Sequence, residues 1–143
     1  MFSDLPTLRT TLRKQLAPLL PEEWKIIDHL STSTEQLVTC VYFEFTEVAN
    51  EMGGRTLVAG HIAANFDVVV VVPETAAPAA EDAADQVALE MVHALERSED
   101  LFWGPTAQKL RLPSGELGWR IPVSLLVSTT PEPLPTTETT EEP

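Results

Sequence analysis

The stretch NFDVVVVVPE, residues 65–74, sets five valines in succession. Side chains along a strand point alternately to its two faces, so this run is apolar on both. β-Branched residues favour strands, and Pro73 stops the run. An antiparallel sheet can leave one face wet and polar. Here both faces of the strand demand cover, in a chain of only 143 residues. Either the sheet curls around itself with the N-terminal segment folded beneath it, or another molecule supplies the second cover.

The remaining pattern gives the elements that surround this strand. SDLPTLRTTLRKQLAPLL opens with a helix that Ser3 or Asp4 can cap, with Pro6 in its first turn. Its apolar stripe is Leu5, Leu8, Leu12, Leu16 and Leu19. EEWKIIDHL, with Trp24, Ile26 and Ile27, reads as a first strand, and STSTEQ as a polar loop. QLVTCVYFEFTEV is a long strand. It carries Leu37, Thr39, Val41, Phe43 and Phe45 on one face, and Val38, Cys40, Tyr42 and Glu44 on the other. Gly53 and Gly54 mark a turn, and HIAANFDVVVVV is the third strand. Pro78 and the acids Glu81, Asp82 and Asp85 suit the N-terminal end of a helix reaching about Arg97. Its apolar face is Ala84, Val87, Ala88, Met91, Val92 and Leu95; Asp82, Gln86, Glu90, His93 and Arg97 face water. AQKLRLPSGELGWRIPVSLLV reads as a hairpin around PSGE. Its second run lines up Trp119, Ile121, Val123, Leu125 and Val127. Pro122 lacks a ladder donor and points to an edge position or a bulge. The expected fold is α+β: a mostly antiparallel four- to five-stranded sheet with two helices on one face, in the order α-β-β-β-α-β-β. One domain spans residues 1–128. Residues 129–143, rich in Thr, Pro and Glu, form a tail too polar to fold alone.

Composition excludes several classes of function. The chain carries 22 acidic and 9 basic residues, a net charge of −13. Without the tail's four glutamates, 18 acids still face 9 bases, so gripping a phosphate backbone by charge neutralisation is not expected. A single cysteine, Cys40, allows no internal disulfide and reads as a small core residue. The opening residues lack the pattern of a signal peptide, and no apolar run approaches membrane-spanning length. His29, His61 and His93 share no metal-ligand spacing, and Cys40 has no partner thiol. GGRTLVAG lacks the lysine of a phosphate loop. Asp67, the one charge within the valine strand, reads as an acid at the strand's rim. No catalytic, cofactor-binding or metal-binding residue is expected, and the chain reads as a non-enzyme.

The body of the chain resembles the tail terminator family of long-tailed, siphovirus-type bacteriophages. The likeness runs from the leucine-striped helix through LPEEWKI, the strand pair around the glycine loop and the valine strand ending in proline. It continues through AAEDAADQVALEMVHALE and the closing pair containing SGELGWRIPVSLLV. The resemblance implies a virion structural protein at the tail end or neck, made in the host cytoplasm. It implies a ring, typically of six copies, that caps the tail tube, stops its polymerisation and meets the neck. Implied partners are further copies of the chain, the major tail tube protein and a neck or head-completion protein. DNA would pass through the lumen without specific binding, and no membrane or cofactor is involved. A head–tail joining protein, and a small acidic binding module or assembly chaperone, remain alternatives. On this reading Val68, Val70, Val72, Leu101, Phe102 and Trp103 are the candidate subunit interface. The loop of residues 50–56, with Met52, Gly53, Gly54 and Arg55, is the candidate surface toward tube or lumen.

Overall fold

The computed structural model describes residues 8–27, 38–75, 78–113 and 115–128. The expected cap residues Ser3 and Asp4, with Leu5 and Pro6, lie outside the described residues, as do His29, the polar loop, Leu37 and the tail.

Helix α1, Leu8–Leu16, is followed by a 3-10 turn, Ala17–Leu19. The strands are β1 (Lys25–Ile26), β2 (Cys40–Ala49), β3 (Glu51–Met52), β4 (Arg55–Thr56) and β5 (His61–Val71). Helix α2, Ala79–Arg97, then precedes β6 (Leu101–Trp103), β7 (Gln108–Arg111) and β8 (Leu117–Ser128). The main sheet runs β1-β2-β5-β8-β6, with β7 also on β8. Every pairing in it is antiparallel except β1 with β2. The expected α+β class, with two helices on a mostly antiparallel sheet, is the observed one.

One sheet face carries the main core. Leu8, Leu12 and Leu16 of α1 and Ala80, Ala84, Val87, Met91, Ala94 and Leu95 of α2 are buried. They close over Val41, Phe43, Phe66, Val68, Val70, Val72, Ile121, Val123 and Leu125. The expected leucine stripe and the expected face of β8 both hold. On α2 the buried face takes in Ala80 and Ala94, while Ala88 and Val92 sit at its margin.

The second face answers the valine question. Tyr42, Val69 and Val71 form a separate buried cluster, and Ile27, Leu110 and Leu112 pack against it. Ile27 follows β1 at one edge of the sheet. Leu110 and Leu112 belong to the β7 side at the other edge. Both edges can reach the same cluster only because the sheet curls around it. Each buried valine contributes about 1.5–3 kcal/mol. β8 lies hard against its ladder partner β5 at Gly118. A Cβ there would overlap the Val70 carbonyl oxygen and stand 3.2 Å from the Val71 Cα.

The next stretch of that face is polar. Asp67 lies mid-strand, opposite Glu44 on β2 and Pro122 on β8. Arg120 donates to Glu44 (2.7 Å) and to Asp67 (2.9 Å). Ser124 donates to the Asn65 side chain at 2.6 Å. The strand is thus apolar on both sides only along its C-terminal half. Asp67 is no rim residue; it is the inner anchor of an ion cluster.

Two further expectations are corrected. Leu101–Trp103, beyond the expected helix end at about Arg97 and assigned to no strand, is a strand, giving six strands in the main sheet. Pro122 sits in the central strand β8, not at an edge. Its carbonyl accepts the Gly104 N–H at 3.0 Å. A residue's N–H and C=O point to the same side of a strand, so the missing donor faces the gap where β7 hands over to β6.

Cys40 is buried, as its core reading requires. Burial pushes its thiol above the ordinary value of 9.0, and nearby Lys25 offsets this only in part. Tyr42 is raised above 10.0 by burial and by Glu44, against the opposing pull of Arg120. Both groups fold in the neutral form, so their stabilisation is complete below the unfolded-state values and is lost as pH rises through the folded ones. Urea midpoints should therefore fall from about pH 9 upward, and Cys40→Ala should remove the earliest part of that fall. Gly118→Ala should cost about 1–3 kcal/mol in urea unfolding through overpacking; an unchanged midpoint would show that β5 and β8 can separate freely.

Candidate functional site

Three features of the surface are distinct from the core. The first is the hairpin tip. β3 and β4 pair through Glu51 with Thr56 and Met52 with Arg55. Gly53 (φ 61°) and Gly54 (φ 82°) form the two-residue turn between them. Positive φ at both central positions is the type I′ geometry that matches strand twist, and glycine adopts it without strain. The Leu57 N–H to Asn50 carbonyl bond, 2.7 Å, ties the tip to the β2–β5 hairpin. Met52 is half-buried, and Gly53, Gly54 and Arg55 are exposed. The proposed loop residues are thus gathered at one tight turn. Val48 and Val58 are exposed near its base.

The second feature is the outer strand β6. Leu101 is buried in the core. The indole N–H of Trp103 donates to Glu96 at 3.4 Å. Phe102 alone projects outward, 58% exposed. The six candidate interface residues therefore separate. Val68, Val70 and Val72 are fully buried beneath the subunit's own helices and offer a neighbour no side-chain surface. The correction has a simple cause: their register puts them on the helix-covered face, while Val69 and Val71 occupy the other.

The third feature is charge segregation between the two helices. Helix α1 contains Arg9, Arg13 and Lys14 and no acid. Arg9 lies over the Phe45 ring of β2, 5.6 Å from its centroid. Helix α2 contains five acids with Arg97 as its one Lys or Arg. On its outer flank Lys109 of β7 bridges Glu81 and, at 3.0 Å, Asp85. These hydrogen bonds hold the Lys109 ammonium above its ordinary value. Trp119 donates its indole N–H to the Ala84 carbonyl at 2.9 Å, fixing α2 over β8. Counting charges element by element along the two helices would have revealed the segregation.

Among the described residues, no three His, Cys, Asp or Glu side chains gather as a metal site. His61 begins β5 and His93 is exposed on α2. Among the described residues, too, no helix is long and apolar enough to cross a membrane.

No family model matches the chain, and no curated protein matches it. Solved structures do. One is the sheath/tube terminator of an extracellular contractile injection system, PVC, in the extended state. The TM-score is 0.52 at 15% identity, over 100% of this chain and 65% of that one. Another is the tube-terminating cap of the anti-feeding prophage. Its TM-score is also 0.52 at 15% identity, covering 99% of this chain and 63% of that one. The chain thus shares a fold with these proteins and spans less than two thirds of the length of either. Both are named for structural roles, a terminator and a cap, and the non-enzymatic reading of the sequence agrees with them.

The two faces of β6 should respond differently to substitution. Phe102→Ser should change unfolding free energy by no more than about 0.5 kcal/mol, whereas Leu101→Ala should cost about 2–5 kcal/mol. Chemical denaturation of both variants measures the contrast; equal losses would place Phe102 in the core.

Proposed function

We propose that the protein is a tube terminator: copies close into a ring on the end of a polymerised tube and stop its growth. The observation that carries this reading is the fold shared across the whole chain with two tube-terminating proteins. Those neighbours belong to contractile injection systems, so tube capping is the common feature. A siphovirus-type phage tail, and contact with a neck or head-completion protein, rest on the sequence resemblance. Both neighbours are named for ending a tube, which favours termination over head–tail joining.

On this reading the ring is a closed cyclic assembly, typically a hexamer, located at the tail end of the particle. The glycine-turned tip with Met52 and Arg55 meets the tube or the lumen. Phe102, with Trp103 behind it, meets a neighbouring copy. The net charge of −13 keeps the lumen from gripping DNA, so a genome can slide through.

Purified protein should contain a species of roughly 90–100 kDa by light scattering, about six times the single chain, as a closed ring requires. Loss of the gene should give overlong tubes. Tubes of normal length that fail to attach would instead support a joining role, and a persistent monomer at high concentration would remove the basis of the ring.

A further inference from the structure

The two helices lie over opposite edges of the sheet. On one side α1 and the 3-10 turn adjoin β1 and β2: Arg9 covers Phe45, and Arg13, Ala17 and Leu20 share a groove with Trp24 and Ile26. On the other side α2 is held to β6, β7 and β8 through Glu96–Trp103, Asp85–Lys109 and Trp119–Ala84. β2, β5 and β8 stand between these edges. Among the described residues, the first edge carries Arg9, Arg13, Lys14 and Lys25 against Glu22 and Glu23. The second carries Glu81, Asp85, Glu96, Glu99 and Asp100 against Lys109, while Arg97 of α2 turns toward the 3-10 turn and donates to the Leu19 carbonyl at 3.0 Å. Each edge also shows apolar surface: Val38 and Phe45 (36% and 37% exposed) on the cationic side, Leu89 and Phe102 (both 58%) on the anionic side.

We propose that the occupant of each edge is a second copy of this chain, the cationic α1–β1 edge of one copy seated against the anionic α2–β6 edge of the next. The inference rests on the ring reading and specifies its interface. Opposite charge flanking exposed apolar residues is the composition of a protein–protein contact with a polar rim. Two unlike patches on opposite sides of a subunit cannot form a two-fold contact, which uses the same patch twice. They give a head-to-tail contact, and when its rotation closes, a ring. Pairing like edges would set cations against cations, so the charge pattern also selects the direction of assembly.

Charge reversal tests this, with circular dichroism establishing that each variant is folded. Lys14→Glu with Lys25→Glu makes both edges anionic. Asp85→Lys with Glu96→Lys and Glu99→Lys makes both edges cationic. These positions are exposed; the contacts given up, Asp85 with Lys109 and Glu96 with the Trp103 indole N–H, lie at the surface, so folding should survive. At low ionic strength, where screening is weakest, each variant alone should lose the ring and scatter light as the 15.7 kDa chain. A 1:1 mixture should recover the ring mass, because every contact then joins unlike edges. Rings that persist in either variant, or a mixture that stays monomeric, overturn the edge assignment while the unaltered protein's ring leaves the terminator reading standing. If the unaltered protein forms no ring, both fail together.

Discussion

The structure depends on how its second sheet face is closed. Val69 and Val71 point away from both helices, and an uncurled sheet would leave them in water. Ile27 from one edge, and Leu110 and Leu112 from the other, reach Tyr42 and these valines instead. Beside this cluster β5 and β8 pair so closely that no side chain fits at Gly118. It also divides the face. Beyond Val69 the Arg120–Glu44–Asp67 cluster takes over, and the face becomes polar. The ions are partly exposed, and such pairs add little stability. Their effect is to give a strand buried on both sides a defined limit.

Much of this was legible from periodicity. Leu8, Leu12 and Leu16 announced the buried stripe of α1. Alternation from Val41 to Phe45 gave the faces of β2, and Trp119 to Val127 gave the inner face of β8. Periodicity could not say which odd or even set of valines faced the helices. Both sets are identical in composition, and only the pairing of Val70 with Val41 and Trp119 decides it. That is why Val68, Val70 and Val72 were placed at an interface when they are core. Leu101–Trp103 escaped because three residues show no period. Pro122 misled because a proline in mid-sheet is tolerated only where the neighbouring strand is interrupted, and that interruption is tertiary.

Of the surface features, the glycine turn was visible in the sequence because two adjacent glycines permit few backbone shapes. Charge segregation was present in the composition of the helices but acquired meaning only with sheet order. With α1 over the β1–β2 edge of the sheet and α2 over the β6–β8 edge, a basic helix and an acidic helix give one body two differently charged flanks. A shared fold at 15% identity fits this division. Core pattern maintains the curled sheet, while surface charge is free to diverge.

The position of β8 has a consequence for how the molecule comes into being. This strand follows all the others in chain order, yet it is the one to which β5, β6 and β7 are all bonded. Until it is synthesised, β5 has β2 on one side and nothing on the other, and β6 and β7 have no ladder at all. Contacts so distant along the chain slow folding, so the sheet is finished late, after α2 is already made. A copy still emerging from its ribosome therefore has no completed acidic flank, and in the proposed ring it could meet a neighbour only after β8 has been made.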